Sequence, residues 1–137
     1  MANILFVCSG NSVRSQMAEG LARHLSNSTC DIKSAGITPI GVNPVAIKSM
    51  GEIGIDISSQ TSDFLTRDLL DWADYVITLC NSAMTRFPVI PPGTKHIHWD
   101  IPNPDRNYDS DELQAKGFAR IRNLLREKID SLLKEIE

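Results

Sequence analysis

Apolar and polar positions alternate between two periods along this chain. Ile4-Leu5-Phe6-Val7 is a continuous apolar run of strand length, as expected of a central parallel strand. From Ser15 to about Leu25 the period becomes helical. Met17, Leu21 and Leu25 recur at i+4, and Ala18 and Ala22 widen that face. Asp31 to Ala35 reads as a weaker strand ending at Gly36, and Thr38-Pro39 and Gly41 mark a loop. Asn43-Pro44 opens a second helix, with Asn43 as N-cap and Pro44 in the first turn. Ile53, Ile55 and Ile57 alternate as a strand would, but Gly54, Asp56 and the polar run SSQTSD predict an ordered loop. A short helix is expected over Phe64 to Leu70. Tyr75 to Leu79 is the strongest second strand, and Lys95 to His98 a short last one. The segment WDIPNPDRNYDS is a loop by composition. An amphipathic helix then runs from about Asp111 to Ile136, with Phe118, Ile121, Leu125, Ile129, Leu132 and Ile136 on one face.

Strands alternating with helices, with no repeat and no linker, predict an α/β fold. A single domain spanning 1–137 is expected, built on a parallel sheet of four strands with helices on both sides. Any active site in such a sheet lies beyond the carboxyl ends of the strands. Cys8, Ser34, Cys80 and the segment after His98 all follow candidate strands.

The loop CSGNSVR is the most informative chemistry. Ser9, Gly10, Asn11, Ser12 and Val13 are enough backbone to circle one tetrahedral anion, and Gly10 is expected to permit the tight turn. The first amides of the following helix favour an anion at the same point. Arg14 can hold two oxygens in bidentate fashion. That positive environment favours the Cys8 thiolate, to which Ser15 could donate its hydroxyl. Against this stands the plainer reading of Cys8 as a buried core cysteine and Arg14 as a surface base, which the bare spacing leaves equally open.

A net charge of −3 and the lack of a basic tract give nucleic acid or a membrane surface no electrostatic support. No apolar stretch approaches the length of a membrane span, and the N-terminus reads as a strand rather than a leader. A cytosolic protein is expected, with Cys8, Cys30 and Cys80 as free or transiently oxidised thiols. Cys30 starts its strand at the end away from the loop, so no redox role is assigned to it. His24, His96 and His98 do not make a metal set.

CSGNSVRSQMAEG, SAGI at Ser34 to Ile37, NPVAI, GIDISSQTSD, VITLC and the Pro91–Trp99 region together resemble the thioredoxin-coupled arsenate reductases, relatives of the low-molecular-weight tyrosine phosphatases. The resemblance implies the phosphatase-like fold and reduction of arsenate to arsenite. Cys8 would attack arsenate, Arg14 would bind its oxygens, and Cys80 would attack the Cys8 sulfur, leaving a Cys8–Cys80 disulfide and arsenite. An external thiol system (thioredoxin, glutaredoxin or a small thiol) would restore the thiols. It also implies a structural potassium ion near Asn11, Glu19, Ser34 and Asp63, no cofactor for the chemistry, and a loop accepting arsenate, phosphate or sulfate in a monomeric protein.

Three positions depart from that pattern. Phe87 stands where relatives carry a third cysteine, so a Cys8–Cys80 disulfide would be the terminal one. Asn103, before Pro104, stands at the general-acid aspartate, and an amide is no acid. Asn103 and Asp105 remain the leaving-group candidates, with Asp100 nearby. Val13 replaces a frequent cysteine. Two other functions stay open: a phosphatase acting on phosphotyrosine or small esters, and a non-catalytic oxyanion-binding protein.

Overall fold

The computed structural model describes residues 2–27, 29–80 and 89–136. Four strands form one parallel sheet: β1 (Ala2–Cys8), β2 (Cys30–Gly36), β3 (Tyr75–Thr78) and β4 (Lys95–His98), in the order β2-β1-β3-β4. The continuous apolar run of β1 is explained by its place between two neighbours, where Ile4, Leu5, Phe6 and Val7 are all fully buried. Its register is fixed on both sides, with Val7 opposite Ala35 of β2 and Thr78 of β3. The chain leaves β1 toward β2 on one side and later returns as β3 on the other. A crevice therefore opens at the carboxyl end between β1 and β3, where open parallel sheets bind ligands.

Helices flank the sheet: α1 (Arg14–Leu25), α2 (Pro44–Gly51), α3 (Arg67–Trp72) and the long α4 (Asp111–Ile136). Met17, Ala18, Leu21 and Ala22 of α1 and Phe118, Ile121, Leu125 and Ile129 of α4 join one core cluster with the strands. Arg122 ties α4 to α2: its guanidinium donates to Ser49 O at 2.7 Å and pairs with Glu52 at 3.1 Å. The cap expected at Asn43 is formed, its Oδ1 accepting from Val45 N at 2.8 Å and Ala46 N at 3.3 Å. No helix among the described residues is long and apolar enough to cross a membrane.

One element differs from expectation. α3 begins at Arg67, because Thr66 caps it by accepting from Leu69 N. Phe64 instead pairs with Gly36 in an isolated bridge, 66% exposed. That bridge extends the β2 end toward the 58–63 segment, which matters for the site below.

Candidate active site

Loop 9–13 leaves β1 at Cys8 and enters α1 at Arg14, and each of its carbonyls is claimed from outside. Ser9 O accepts from Thr38 N at 2.9 Å, Gly10 O from Ile40 N at 3.0 Å, and Ser12 O from Asn43 N at 3.1 Å. Asn11 O accepts from Gln16 Nε2 at 3.0 Å and Ser62 Oγ at 2.9 Å, and Val13 O accepts from Met17 N at 2.9 Å. In a trans peptide the N–H and C=O point opposite ways. Carbonyls held outward therefore turn the amide edge of the loop inward. α1 has no side-chain cap and no acidic residue in its first turn, which leaves its N-terminal amides to the same interior.

That interior is a cavity of about 340 Å³ lined by Cys8, loop residues Ser9, Gly10, Ser12 and Val13, Arg14, and, from elsewhere in the chain, Thr38, Ile40, Asn103 and Asp105. The thiol and guanidinium of the sequence motif do share one site. Arg14 is half-buried and its Nη1 donates to Ile101 O at 2.9 Å, which steadies the guanidinium and links it to the segment carrying Asn103. Asp100, the other acid considered, does not line the cavity.

Behind the loop runs a buried hydrogen-bond chain whose direction can be read. Asn11 Nδ2 donates to Ser15 Oγ at 2.8 Å and to Ser34 Oγ at 3.0 Å. Ser15 Oγ thus accepts from Asn11, and its own proton is free to point at Cys8 Sγ, 2.8 Å away. Ser34 in turn donates to Glu19 Oε1 at 2.5 Å. A donated hydrogen bond stabilises a thiolate over a thiol. Ser15→Ala is expected to slow alkylation of Cys8 by iodoacetamide near neutral pH about tenfold, the worth of one hydrogen bond to a charged group. An unchanged rate would remove Ser15 from this role.

One sequence expectation needs correction here. Gly10 does not take up the left-handed turn; Asn11 does, at φ +45°, fully buried. Gly10 matters for room, since a Cβ there would meet Ile40 Cγ1 at 3.1 Å. The Asn11 side chain is turned away from the cavity, into the chain just described. Tyr108 lines a neighbouring cavity against α4.

The polar run after Ile57 is the part of the site that residue chemistry did not reveal. Gln16 Nε2 donates to Thr61 O at 2.8 Å, Gln60 Nε2 to Gln16 Oε1 at 2.8 Å, and Asp63 N to Asn11 Oδ1 at 2.8 Å. This segment is the outer wall that fixes the loop. Gly36 lets it close: a Cβ there would lie 2.8 Å from Asn11 N and 2.9 Å from Ser9 O. Those are backbone atoms, which cannot swing aside as a side chain can, so Gly36→Ala is expected to cost roughly 1–3 kcal/mol in urea unfolding. A wild-type midpoint would contradict the close approach.

Cys80 is buried two residues past β3. Leu79 N donates to Val7 O at 2.9 Å, so Cys80 lies one residue beyond the level of Cys8 on the adjacent chain. Both cysteines are free thiols, as is Cys30, which pairs with Ala2 at the far end of the sheet. Phe87 and the rest of 81–88 lie outside the described residues.

The oxygens expected around a potassium ion are partly gathered. Glu19, Ser34 and Asp63 line one cavity, and Asn11 joins them through Ser34 and Asp63 N. Oxygen donors suit a hard cation. Yet Arg23 already pairs with Glu19 Oε2 at 2.9 Å, Lys33 lines the same cavity, and the Asp63 carboxylate accepts from Thr61 Oγ1. His96 and His98 share Thr78 Oγ1, at 3.0 and 2.8 Å. Burial, and after it the charge of His98, lowers the His96 pKa. Among the described residues no group of three or more His, Cys, Asp or Glu could hold a metal.

The fold and site define an α/β protein with a buried thiol at the base of a loop-lined cavity at a sheet switch point, and a second buried thiol just past the neighbouring strand. The family model described as low molecular weight phosphotyrosine protein phosphatase matches residues 3–137. The chain is 45% identical over 132 residues to an arsenate reductase of Bacillus subtilis, covering 96% of this chain and 92% of that one. A solved arsenate reductase in the phosphate binding state is 35% identical with a TM-score of 0.82, and another in the oxidized state is 32% identical with a TM-score of 0.81. Each of these two pairs is covered over 100% of both chains. The chain belongs to the low molecular weight phosphotyrosine protein phosphatase family, in the branch of the bacterial arsenate reductases.

Proposed function

We propose that this protein reduces arsenate to arsenite with its own two thiols. The observation that carries the reading is Cys80 one residue beyond the level of Cys8 on the adjacent strand, because a phosphatase needs only the first thiol. Arsenate enters the loop, its oxygens on the amides of residues 9–13 and on Arg14. The Cys8 thiolate, held by the Ser15 hydroxyl, attacks arsenic and displaces one oxygen as water. Arsenic is still pentavalent in the resulting Cys8 adduct. The Cys80 thiolate then attacks the Cys8 sulfur. The S–As bond breaks with its electron pair going to arsenic, which leaves as arsenite, and the sulfurs are left as a disulfide.

Phosphate and sulfate share the shape and charge of arsenate and are assigned to the same loop as competitors. The relative solved with phosphate supports that assignment. With Phe87 in place of a third cysteine, the Cys8–Cys80 disulfide itself must meet the external reductant, a dithiol protein such as thioredoxin or glutaredoxin, or a small thiol. Any potassium ion would be held by oxygens of Asn11, Glu19, Ser34 and Asp63, and would supply charge that stiffens the loop. Arg23 already supplies one positive charge there.

The test is mass spectrometry without reducing agent, after mixing fully reduced protein with arsenate. One arsenite per protein, loss of two protons and a Cys8–Cys80 linkage are expected. Neither arsenite nor linkage would end this reading in favour of phosphate-ester turnover or anion binding alone.

A further inference from the structure

The leaving oxygen of arsenate needs a proton, and Asn103, an amide, has none to give. Asn103 has a different task. Its Oδ1 accepts from Asp105 N at 3.0 Å, closing a tight turn over Pro104. That turn brings Asp105 to the cavity that holds Cys8 and Arg14, where it is the one carboxyl among the described lining residues.

The turn is held from behind by α4. Tyr108 donates from its hydroxyl to Pro104 O at 2.8 Å. The ring reaches that carbonyl only because residue 117 lacks a side chain: a Cβ on Gly117 would meet the Tyr108 hydroxyl and ring within 3 Å. Arg106 covers the ring, 4.8 Å from its centroid. On the other side Arg14 grips Ile101 O, so the anion clamp and the turn are fixed at both ends of one short segment. These contacts fix the backbone on both sides of Asp105.

We propose that Asp105 is the proton donor to the departing arsenate oxygen, and that Tyr108, seated on Gly117, is the positioning residue that holds it there. The inference rests on the reductase reading above. As Cys8 Sγ bonds to arsenic, the As–OH bond breaks. The oxygen takes the Asp105 proton and leaves as water, and Asp105 is left as carboxylate to be reprotonated from solvent. Hydrogen arsenate, thiolate and carboxylic acid thus become the thiol–arsenate adduct, water and carboxylate, with no change in oxidation state. Asn103 is a second positioning residue, occupied with the Asp105 amide.

The experiment is single-turnover arsenite formation against pH, for reduced wild-type protein, Asp105→Asn, Tyr108→Phe and the double variant. Asp105→Asn keeps shape at an exposed position and is expected to slow turnover about 10²-fold, the low end for a proton donor, with KM little changed. It should also flatten the pH profile of the rate, because the step no longer draws on a titrating donor. Tyr108→Phe should slow turnover about fivefold, the equivalent of one hydrogen bond, and should add nothing once Asp105 is gone. Asp105→Asn turning over at a near-normal rate, or slowed with the wild-type pH profile intact, overturns the assignment of Asp105. Additive effects of the two substitutions overturn the role of Tyr108. No arsenite from the wild-type protein itself overturns the reductase reading and this step with it.

Discussion

Cys80→Ser protein, mixed with arsenate and no external thiol, is expected to release essentially no arsenite while still binding arsenate at Cys8. Cys8→Ser should do neither. The difference follows from what each thiol meets. Cys8 lies at the amide edge of the loop with Ser15 on its sulfur, whereas Cys80 does not line that cavity and approaches from the next strand. Its advantage is proximity. A nucleophile held beside its target acts as though present at an effective concentration of ~10⁵ M or more when well oriented. A small thiol added at millimolar level is therefore expected to restore only a small part of the lost rate, at least about 10³-fold below wild type. The comparison also separates the two catalytic readings of the family. Undiminished phosphate-ester turnover by Cys80→Ser, with wild-type arsenite release as well, would leave Cys80 without a role in resolution. Quantitative arsenite assay with and without added thiol decides it.

The path from sequence to site was uneven, for physical reasons. The strand run before Cys8, the helix after Arg14 and the strand before Cys80 were legible because each rests on local periodicity and near neighbours. Asn43 was legible as a cap for the same reason, since its bonds reach only two and three residues ahead. The wall of the loop was not. Thr38, Ile40, Asn43 and Ser62 reach loop carbonyls from 29 to 52 residues away, and no periodicity records such contacts. The turn residue was misplaced because glycine and asparagine both tolerate a left-handed backbone, and only the packing of Ile40 on Gly10 and the buried bonds of Asn11 choose between them. Phe64 was drawn into a helix by its apolar side chain, while the true start was set by the Thr66 hydroxyl. The residue types of the leaving-group region marked Asn103 and Asp105 as candidates but not what holds the turn between them, because Gly117 lies on another element and contributes by having no side chain.

Asn11 is where fold and chemistry meet most closely, and Asn11→Ala should be the costliest change in the loop. Three hydrogen bonds go with the side chain, two donated by Nδ2 and one accepted by Oδ1. Each is worth about 1 kcal/mol, more where a buried partner is left unpaired. Alanine at φ +45° adds about 1 kcal/mol more. A loss of about 4 kcal/mol in urea unfolding is therefore expected, large against the total stability of a domain this size. Asn11→Gly separates the two contributions. It relieves the backbone and should recover about 1 kcal/mol, yet it leaves Ser15 without its donor. Asn11→Asp keeps the shape but replaces two donated protons with an anion facing Ser15 and Ser34, so it is expected to be no better than alanine. In all three variants the Ser15 hydroxyl loses the partner that fixes its proton on Cys8. Cys8 alkylation should then slow even in glycine, where stability partly returns. If glycine instead restored both stability and Cys8 reactivity, the backbone conformation alone would be the reason for Asn11, and the directed chain from Asn11 through Ser15 to the thiol would have no role in the chemistry.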